Sequence, residues 1–356
     1  MAARITAMGM ASCLGPVSTA CAAARAGVAR VAPLPDFQYQ PAEGLDRLPL
    51  SACAIPASTF GFAGIGRLVA ILHETLLDLL GDLDPRQRDP DAALFLALPD
   101  PLDLEIPLSS ELEGDAERRA AAFGSRIVER ALESVRSGWA LPERRFFGEG
   151  RTAFPRALKA ALDELATGRR RTCLVAAIDT LLDRAVLERL LVEERLKTED
   201  RPTGLVPGEA GVALVLQAVA PKGSASHRAP VQVRAVALRP ADDASPGRAL
   251  ADCADEAFRA AGGSAEPLLV SDHNGEHASA QEWGGALVRL RSLGPAWTAP
   301  PSWFPAIGFG DTGTAAAAVG ACLAARGVER GYAPSRMPVV LSSGEDEKAA
   351  VVIAAA

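Results

Sequence analysis

Four groups of residues are of types and spacing that could do chemistry or hold a ligand. The first is Asp272, His273, Glu276 and His277, two carboxylates and two imidazoles in one short stretch. An acid–base pair or a metal site needs such groups. The only ligand spacing is His-x-x-x-His in a strand–loop context without a third ligand, so a solvated turn accounts for it better and no metal is expected. The second is Gly308, Gly310 and Gly313, which spell G-x-G-x-x-G ahead of an alanine-rich helix. Such glycines let a pyrophosphate approach a helix N-terminus. Glu345 lies too far on to hold a ribose, and Asp311 would crowd a pyrophosphate, so close packing of the helix explains these glycines better and no cofactor is expected. The third is Thr152, a hydroxyl at a helix start, which is either a cap or a nucleophile needing a base. The fourth is the set of six cysteines, Cys13, Cys21, Cys53, Cys173, Cys253 and Cys322. None forms a CxxC pair, and buried reduced thiols are the simpler reading.

The elements that must position these groups centre on residues 148–179, GEGRTAFPRALKAALDELATGRRRTCLVAAID. Apolar positions Phe154, Ala157, Leu158, Ala161, Leu162 and Leu165 recur at helical spacing, with Lys159, Asp163 and Glu164 opposite. Gly168 stops that helix, and Arg169, Arg170 and Arg171 follow where cations suit its C-terminal dipole. The run 173–178 is short, apolar and unbroken, which predicts a central strand buried on both faces. Residues 308–342 repeat the order of glycine turn, small-residue helix, basic stop and buried strand. Each unit is followed by a further apolar strand, at 211–216 and 350–355. Two such units predict a duplicated α/β architecture with one central helix per half.

Elsewhere the pattern predicts strands over 4–11, 92–98, 231–237 and 268–271, and helices over 18–26, 65–80, 116–137, 181–196, 248–261 and 280–291. Residues 31–60 are proline-rich and aperiodic and read as a loop, as does the acidic stretch 99–115. The polar, small-residue segment 221–230 is the best internal boundary.

Composition narrows the function classes. The chain has 356 residues, 49% hydrophobic, and a formal net charge of −7. That length suits two domains or one large fused core. With no long basic stripe, nucleic acid is not an expected partner. No apolar run approaches the length of a membrane helix, and glycines and Pro16 interrupt the apolar N-terminus too soon for a signal peptide. A cytoplasmic protein is expected.

Three segments together resemble a known family. RITAMGMASCLG at 4–15, TGLVPGEAGVALVL at 203–216 and GDTGTAAAAVG at 310–320, closed by strands within 339–353, are similar to β-ketoacyl synthases of the thiolase superfamily. The resemblance implies an α/β, thiolase-like five-layer αβαβα fold from two pseudo-equivalent halves, and usually a homodimer. The halves would be residues 1–222, with a central helix at 152–167, and 229–356, with a central helix at 312–326.

Carried over residue by residue, the resemblance also implies lost chemistry. Condensing relatives keep a cysteine at the start of the first central helix, where the helix dipole favours a thiolate. Here that position is Arg151, which cannot lose its proton in a useful range. The first family histidine matches His273, the second becomes Asp311, and the family lysine becomes Ala306. Condensation needs both an acyl acceptor and donors for a developing enolate, so no ketosynthase turnover is expected. One function class is an adaptor, scaffold or partner subunit, resembling either chain-length factors or short ketosynthase-like proteins of type VI secretion effector loading. Its partners would be a second copy, a related subunit, a protein client or an acyl-carrier protein. The other class is an acyltransferase, or 3-oxoacyl-ACP synthase-type enzyme, using Thr152, His273 and Asp311 on acyl-ACP or acyl-CoA. A milder reading of Gly308–Gly313 is a helix start that still holds a pantetheine or another acyl-carrier fragment.

Overall fold

The computed structural model describes residues 2–42, 45–106, 112, 114–219, 231–242 and 245–356. The strands in chain order are β1 (Ala3–Ser12), β2 (Ala32–Tyr39), β3 (Leu48–Ala52), β4 (Ala93–Ala97), β5 (Glu143–Phe147), β6 (Thr172–Thr180) and β7 (Glu209–Ala218). They continue as β8 (Val231–Pro240), β9 (Leu268–Val270), β10 (Ser302–Trp303), β11 (Pro338–Ser343) and β12 (Glu347–Ala355). All but β2 and β3 join one sheet in the order β10-β9-β11-β12-β8-β1-β7-β6-β4-β5. Its two halves read alike from edge to centre, β5-β4-β6-β7-β1 and β10-β9-β11-β12-β8. The senses match too. The three outer strands of each half are parallel, and the two inner pairings are antiparallel. The halves meet where β1 pairs antiparallel with β8, from Ala3 opposite Val233 to Ile5 opposite Val231.

Both faces of the sheet are covered, which is why its strands are unbroken apolar runs rather than alternating ones. Along β6, Cys173, Val175 and Ala177 face one core while Leu174, Ala176 and Ile178 face another. The inner core holds the central helices α5 (Ala153–Ala166) and α10 (Ala316–Glu329), with α1 (Val17–Arg25) beside them. The outer cores are covered by α3 (Gly64–Asp82), α4 (Ala116–Val135) and α6 (Arg184–Val192) on one side, and by α7 (Arg248–Ala260) and α8 (His277–Leu293) on the other. Five layers result. Two short helices, α2 (Pro56–Thr59) and α9 (Ala306–Phe309), complete the set used below. Helix α10 can be wholly enclosed because its residues are small. A side chain on Gly320 would come within 3.1 Å of both Val270 and Val340.

Several sequence expectations need correction. The stretch 31–60 is not a loop, since it holds the β2–β3 ribbon and α2. Pro33 and Pro35 hide the strand signal, and they are tolerated because among the described residues this ribbon is two-stranded, so β2 pairs along one edge. Strand β5 was not anticipated. Its Arg144 and Arg145 mask an edge strand whose register with β4 is continuous from Ala93–Glu143 to Ala97–Phe147. The helix expected over 181–196 spans only Arg184–Val192. Each central helix begins later than expected, because a 3-10 turn precedes it, at Gly150–Thr152 and at Gly313–Ala315. The boundary at 221–230 lies outside the described residues.

Candidate functional site

The two central helices start facing each other, and the strand that follows each helix ends against the start of the other. At the end of β11, the Ser342 hydroxyl donates to the Arg151 carbonyl at 2.7 Å. At the end of β6, Asp179 accepts from the Thr314 amide at 2.7 Å, and from its neighbour Thr180 at 2.7 Å. Both turns need a left-handed glycine, Gly150 at φ +62° and Gly313 at φ +55°. Burial pushes the Asp179 carboxyl up to about 6, even though those amide bonds favour its charged form.

Between the two helix starts lies an ion pair. The Arg151 guanidinium binds Asp311, and Asp272 stands 3.9 Å from its other nitrogen. The Asp311 side chain is fully buried, while that of Arg151 is 20% exposed. Asp311 also accepts from the Asn274 amide at 2.7 Å and from the Gly313 amide at 2.9 Å. Burial alone would raise the Asp311 pKa, but Arg151 and these donors outweigh it and hold the carboxyl below its ordinary range. For Arg151 burial disfavours the charge, and Asp311, Asp272 and Glu276 more than offset it. Asp272 is raised by burial despite Arg151. The network extends outward through Asn274, which donates to Glu276 at 2.6 Å, and Glu276 pairs with Arg195 at 2.8 Å.

The structure brings Arg151 and Asp311 together but not Thr152 and His273. The His273 Nδ1 lies 2.9 Å from the Ser279 hydroxyl, and its ring meets Phe304 edge-on at 6.0 Å. Its pKa is lowered by burial, so the imidazole is neutral at ordinary pH. Thr152 is buried, and among the described residues its hydroxyl reaches the Glu149 carbonyl, at 3.4 Å. Gly308, Gly310 and Gly313 serve close backbone approach. Gly310 faces the Val206 and Pro207 carbonyls, and a side chain on Gly313 would overlap the Asp179 carboxylate. The Thr314 amide that a phosphate would seek is already bonded to Asp179. Ala306 begins α9.

Two thiols approach this region without opening onto it. Cys13 and Cys53 direct their sulfurs at the Gly308 carbonyl, at 3.5 and 3.9 Å. They also hydrogen-bond each other, which pushes Cys13 up and Cys53 down. Both are enclosed, Cys53 at 0% exposure, and no hydrogen bond joins either to His273 among the described residues. Burial pushes Cys173 up to about 12, where a thiolate does not form at neutral pH.

Solvent reaches Arg151 through a polar cleft of about 340 Å³, lined also by Asp272, Asn274, Glu282 and Lys348. Lys348 pairs with Glu282 at 2.8 Å and donates to Ser343 at 2.9 Å. Among the described residues no group of three or more His, Cys, Asp or Glu side chains is arranged to hold a metal ion, and no helix is long and apolar enough to cross a membrane. The cleft can orient a polar ligand by charge and hydrogen bonds. Its floor is a guanidinium already paired, which neither accepts an acyl group nor moves a proton.

Sequence reasoning named Asp272, Glu276 and Asp311 but missed the contributions of Asn274, Arg195, Ser342 and Asp179. The position of Asp179 and Ser342, each closing an apolar strand that follows a central helix, is the one signal that could have found them.

No family model matches the chain, and no curated protein sequence matches it. Solved structures do. A chain of AntDE:AntF, a type II PKS acyl-carrier protein in complex with its ketosynthase, superposes with a TM-score of 0.73 at 15% identity, covering 99% of both chains. The ishigamide ketosynthase/chain length factor gives 0.67 at 20% identity, over 100% of this chain and 99% of that one. The ketosynthase from module 6 of the bacillaene synthase of Bacillus subtilis 168 gives 0.74 at 12% identity, over 100% of this chain and 72% of that one. The chain therefore has the thiolase-like fold of ketosynthases and chain length factors, in a divergent form.

Proposed function

We propose that this protein is a non-condensing, ketosynthase-like subunit that acts through a partner rather than through its own acyl chemistry. The observation that carries this reading is the Arg151–Asp311 ion pair, set between the two central-helix starts. The resemblance read from sequence puts the nucleophile of condensing relatives at Arg151 and a histidine at Asp311. An ion pair there satisfies both charges, and it leaves Asp311 fully buried and Arg151 only 20% exposed. The thiols nearest to it are enclosed, and the neutral His273 faces Ser279 instead.

A partner is supported by two features. Among the described residues strand β5 has no strand on its outer edge at the rim of the ten-stranded sheet, and such edges are normally covered or paired. The structural neighbours include a ketosynthase bound to its acyl-carrier protein and one in complex with its chain length factor from Xenorhabdus doucetiae. A related ketosynthase subunit carrying a catalytic thiol is the partner class this favours, with an acyl-carrier protein or a second copy as alternatives. The alternative activity, acyl transfer through Thr152, would need the Thr152 and Asp311 turns to open toward His273. Among the described residues no feature points to effector loading in type VI secretion.

Intact-mass measurement after incubation with acyl-CoA and acyl-carrier protein tests the reading. No adduct is expected on the wild-type chain. An acyl adduct that disappears in Thr152→Ala would overturn it in favour of the transferase. Co-expression with a thiol-bearing ketosynthase should give a stable pair, and failure of the two chains to co-purify would count against the partner reading.

A further inference from the structure

A second cavity lies away from the ion pair, between the end of α1, strand β10 and the end of α10. It has a volume of about 440 Å³ and is walled by Trp303, Phe304, Leu323 and Tyr332, with Cys21 at its base. This is the size and lining typical of a small-molecule site, mostly apolar and aromatic with a few polar groups converging on it. The aromatic wall is built in. Trp303 stacks on Tyr332 with ring centroids 6.2 Å apart, and Gly327 of α10 makes room for the indole, since a side chain there would come within 2.9 Å of it. Val28 and Ile307 stand at the rim, 49% and 68% exposed.

One cation stands over this apolar space. The Arg25 guanidinium sits 4.8 Å above the centre of the Tyr332 ring. Arg25 is exposed, and no carboxylate among the described residues pairs with it. The chain is net acidic, and many of its other arginines are held by Asp or Glu. An unpaired guanidinium at the mouth of an aromatic cavity selects an anion attached to an apolar body. Burial pushes the Tyr332 phenol up to about 12, so the ring beneath Arg25 is uncharged.

We propose that this cavity binds a small carboxylate with an aliphatic or aromatic body, its carboxylate on Arg25 and its body against Trp303, Phe304 and Leu323. The site is separate from the ion pair and does not depend on the partner reading. Phe304 lines the cavity and meets the His273 ring edge-on, and Pro305 lies between the cavity and Asp311.

Calorimetric titration of the full chain with octanoate, octanol and octylammonium tests the proposal. Octanoate should bind measurably, octanol about tenfold more weakly and octylammonium more weakly still, the size of a charge-assisted hydrogen bond. Arg25→Gln should lower octanoate affinity by about tenfold and bring it close to that of octanol. Ala24→Trp and Val28→Trp, on the half-buried and exposed rim, should each block the cavity, and either one that folds normally by circular dichroism suffices. Absence of octanoate binding overturns the proposal, as does equal binding of octylammonium or an affinity unchanged in the folded tryptophan variant. A positive octanoate result with acyl adducts absent leaves the partner reading intact, and the reverse outcome separates the two.

Discussion

The starts of the two central helices occupy matching places in a repeated fold, yet they carry opposite charges. The first start presents Arg151, the second Asp311. A helix N-terminus attracts negative charge and repels positive charge. Asp311 therefore gains from its own helix end and from the Gly313 amide, whereas Arg151 is held against its own helix by the carboxylates Asp311 and Asp272. The two halves thus depend on each other unequally. A duplicated scaffold has put a cation and an anion where each supports the other, and in doing so has fixed the junction between its layers.

The largest effect expected from breaking this arrangement is in Asp311→Ala. It leaves Arg151 largely buried with Asp272 at 3.9 Å and Glu276 farther out as its remaining carboxylates, and should lower stability by about 3–5 kcal/mol in urea unfolding. Because the Arg151 side chain retains 20% exposure, the lower end is favoured. Arg151→Met should be milder by about 1 kcal/mol, the size of a helix-end charge effect, since Asp311 keeps Asn274 and Gly313. If the two variants lose equal stability, the asymmetry argued above is wrong.

The carboxylates that serve the two helix starts should respond oppositely to pH. Asp311 is held below its ordinary range, so its stabilisation is present above the unfolded value near 3.9 and is lost as pH falls through its folded pKa. Asp179, raised to about 6, binds its proton more tightly folded than unfolded. Its contribution is complete below about 3.9 and is lost as pH rises to about 6, by at most about 3 kcal/mol. Thermal unfolding of Asp179→Asn should accordingly fall less between pH 4 and 6 than that of the wild type. An unchanged slope would place the titrating group elsewhere.

The two turn glycines sharpen the comparison further. Gly313→Ala combines left-handed strain with overlap on Asp179 and should cost about 2–4 kcal/mol. Gly150→Ala meets no atom within 4 Å and should cost about 1–2 kcal/mol, from backbone strain alone. The smallest effect belongs to His273→Ala. It removes an edge contact with Phe304 and a bond to Ser279, and a loss of about 1 kcal/mol is expected by the same unfolding measurement.

Much of the fold is legible in the residues themselves. The unbroken run in β6 can only be a strand covered on both sides, and the alanines of α10 announce a helix meant for close contact. The legible part of the site was Arg151 and Asp311, each at a glycine-marked helix start. Less visible were the places where local pattern and tertiary need disagree. The arginines of β5 conceal a strand stabilised by β4, and the prolines of β2 conceal a ribbon. The cluster around His273 reads in sequence as a solvated turn, but the fold splits it. Asp272 and Asn274 turn inward to the ion pair, while His273 turns toward Ser279 and Phe304.

The order of turns, small-residue helices and apolar strands determined the layers and their duplication, because burial on both faces leaves little other choice for such segments. It also determined that a guanidinium and a carboxylate stand at the two helix starts. That these two groups, 160 residues apart, neutralise each other was decided only by how the halves dock. The same docking encloses Cys13 and Cys53, and sets Arg25 over the aromatic cavity with no carboxylate partner among the described residues. Such contacts depend on distance and solvent access across layers, and no local pattern along the chain encodes either.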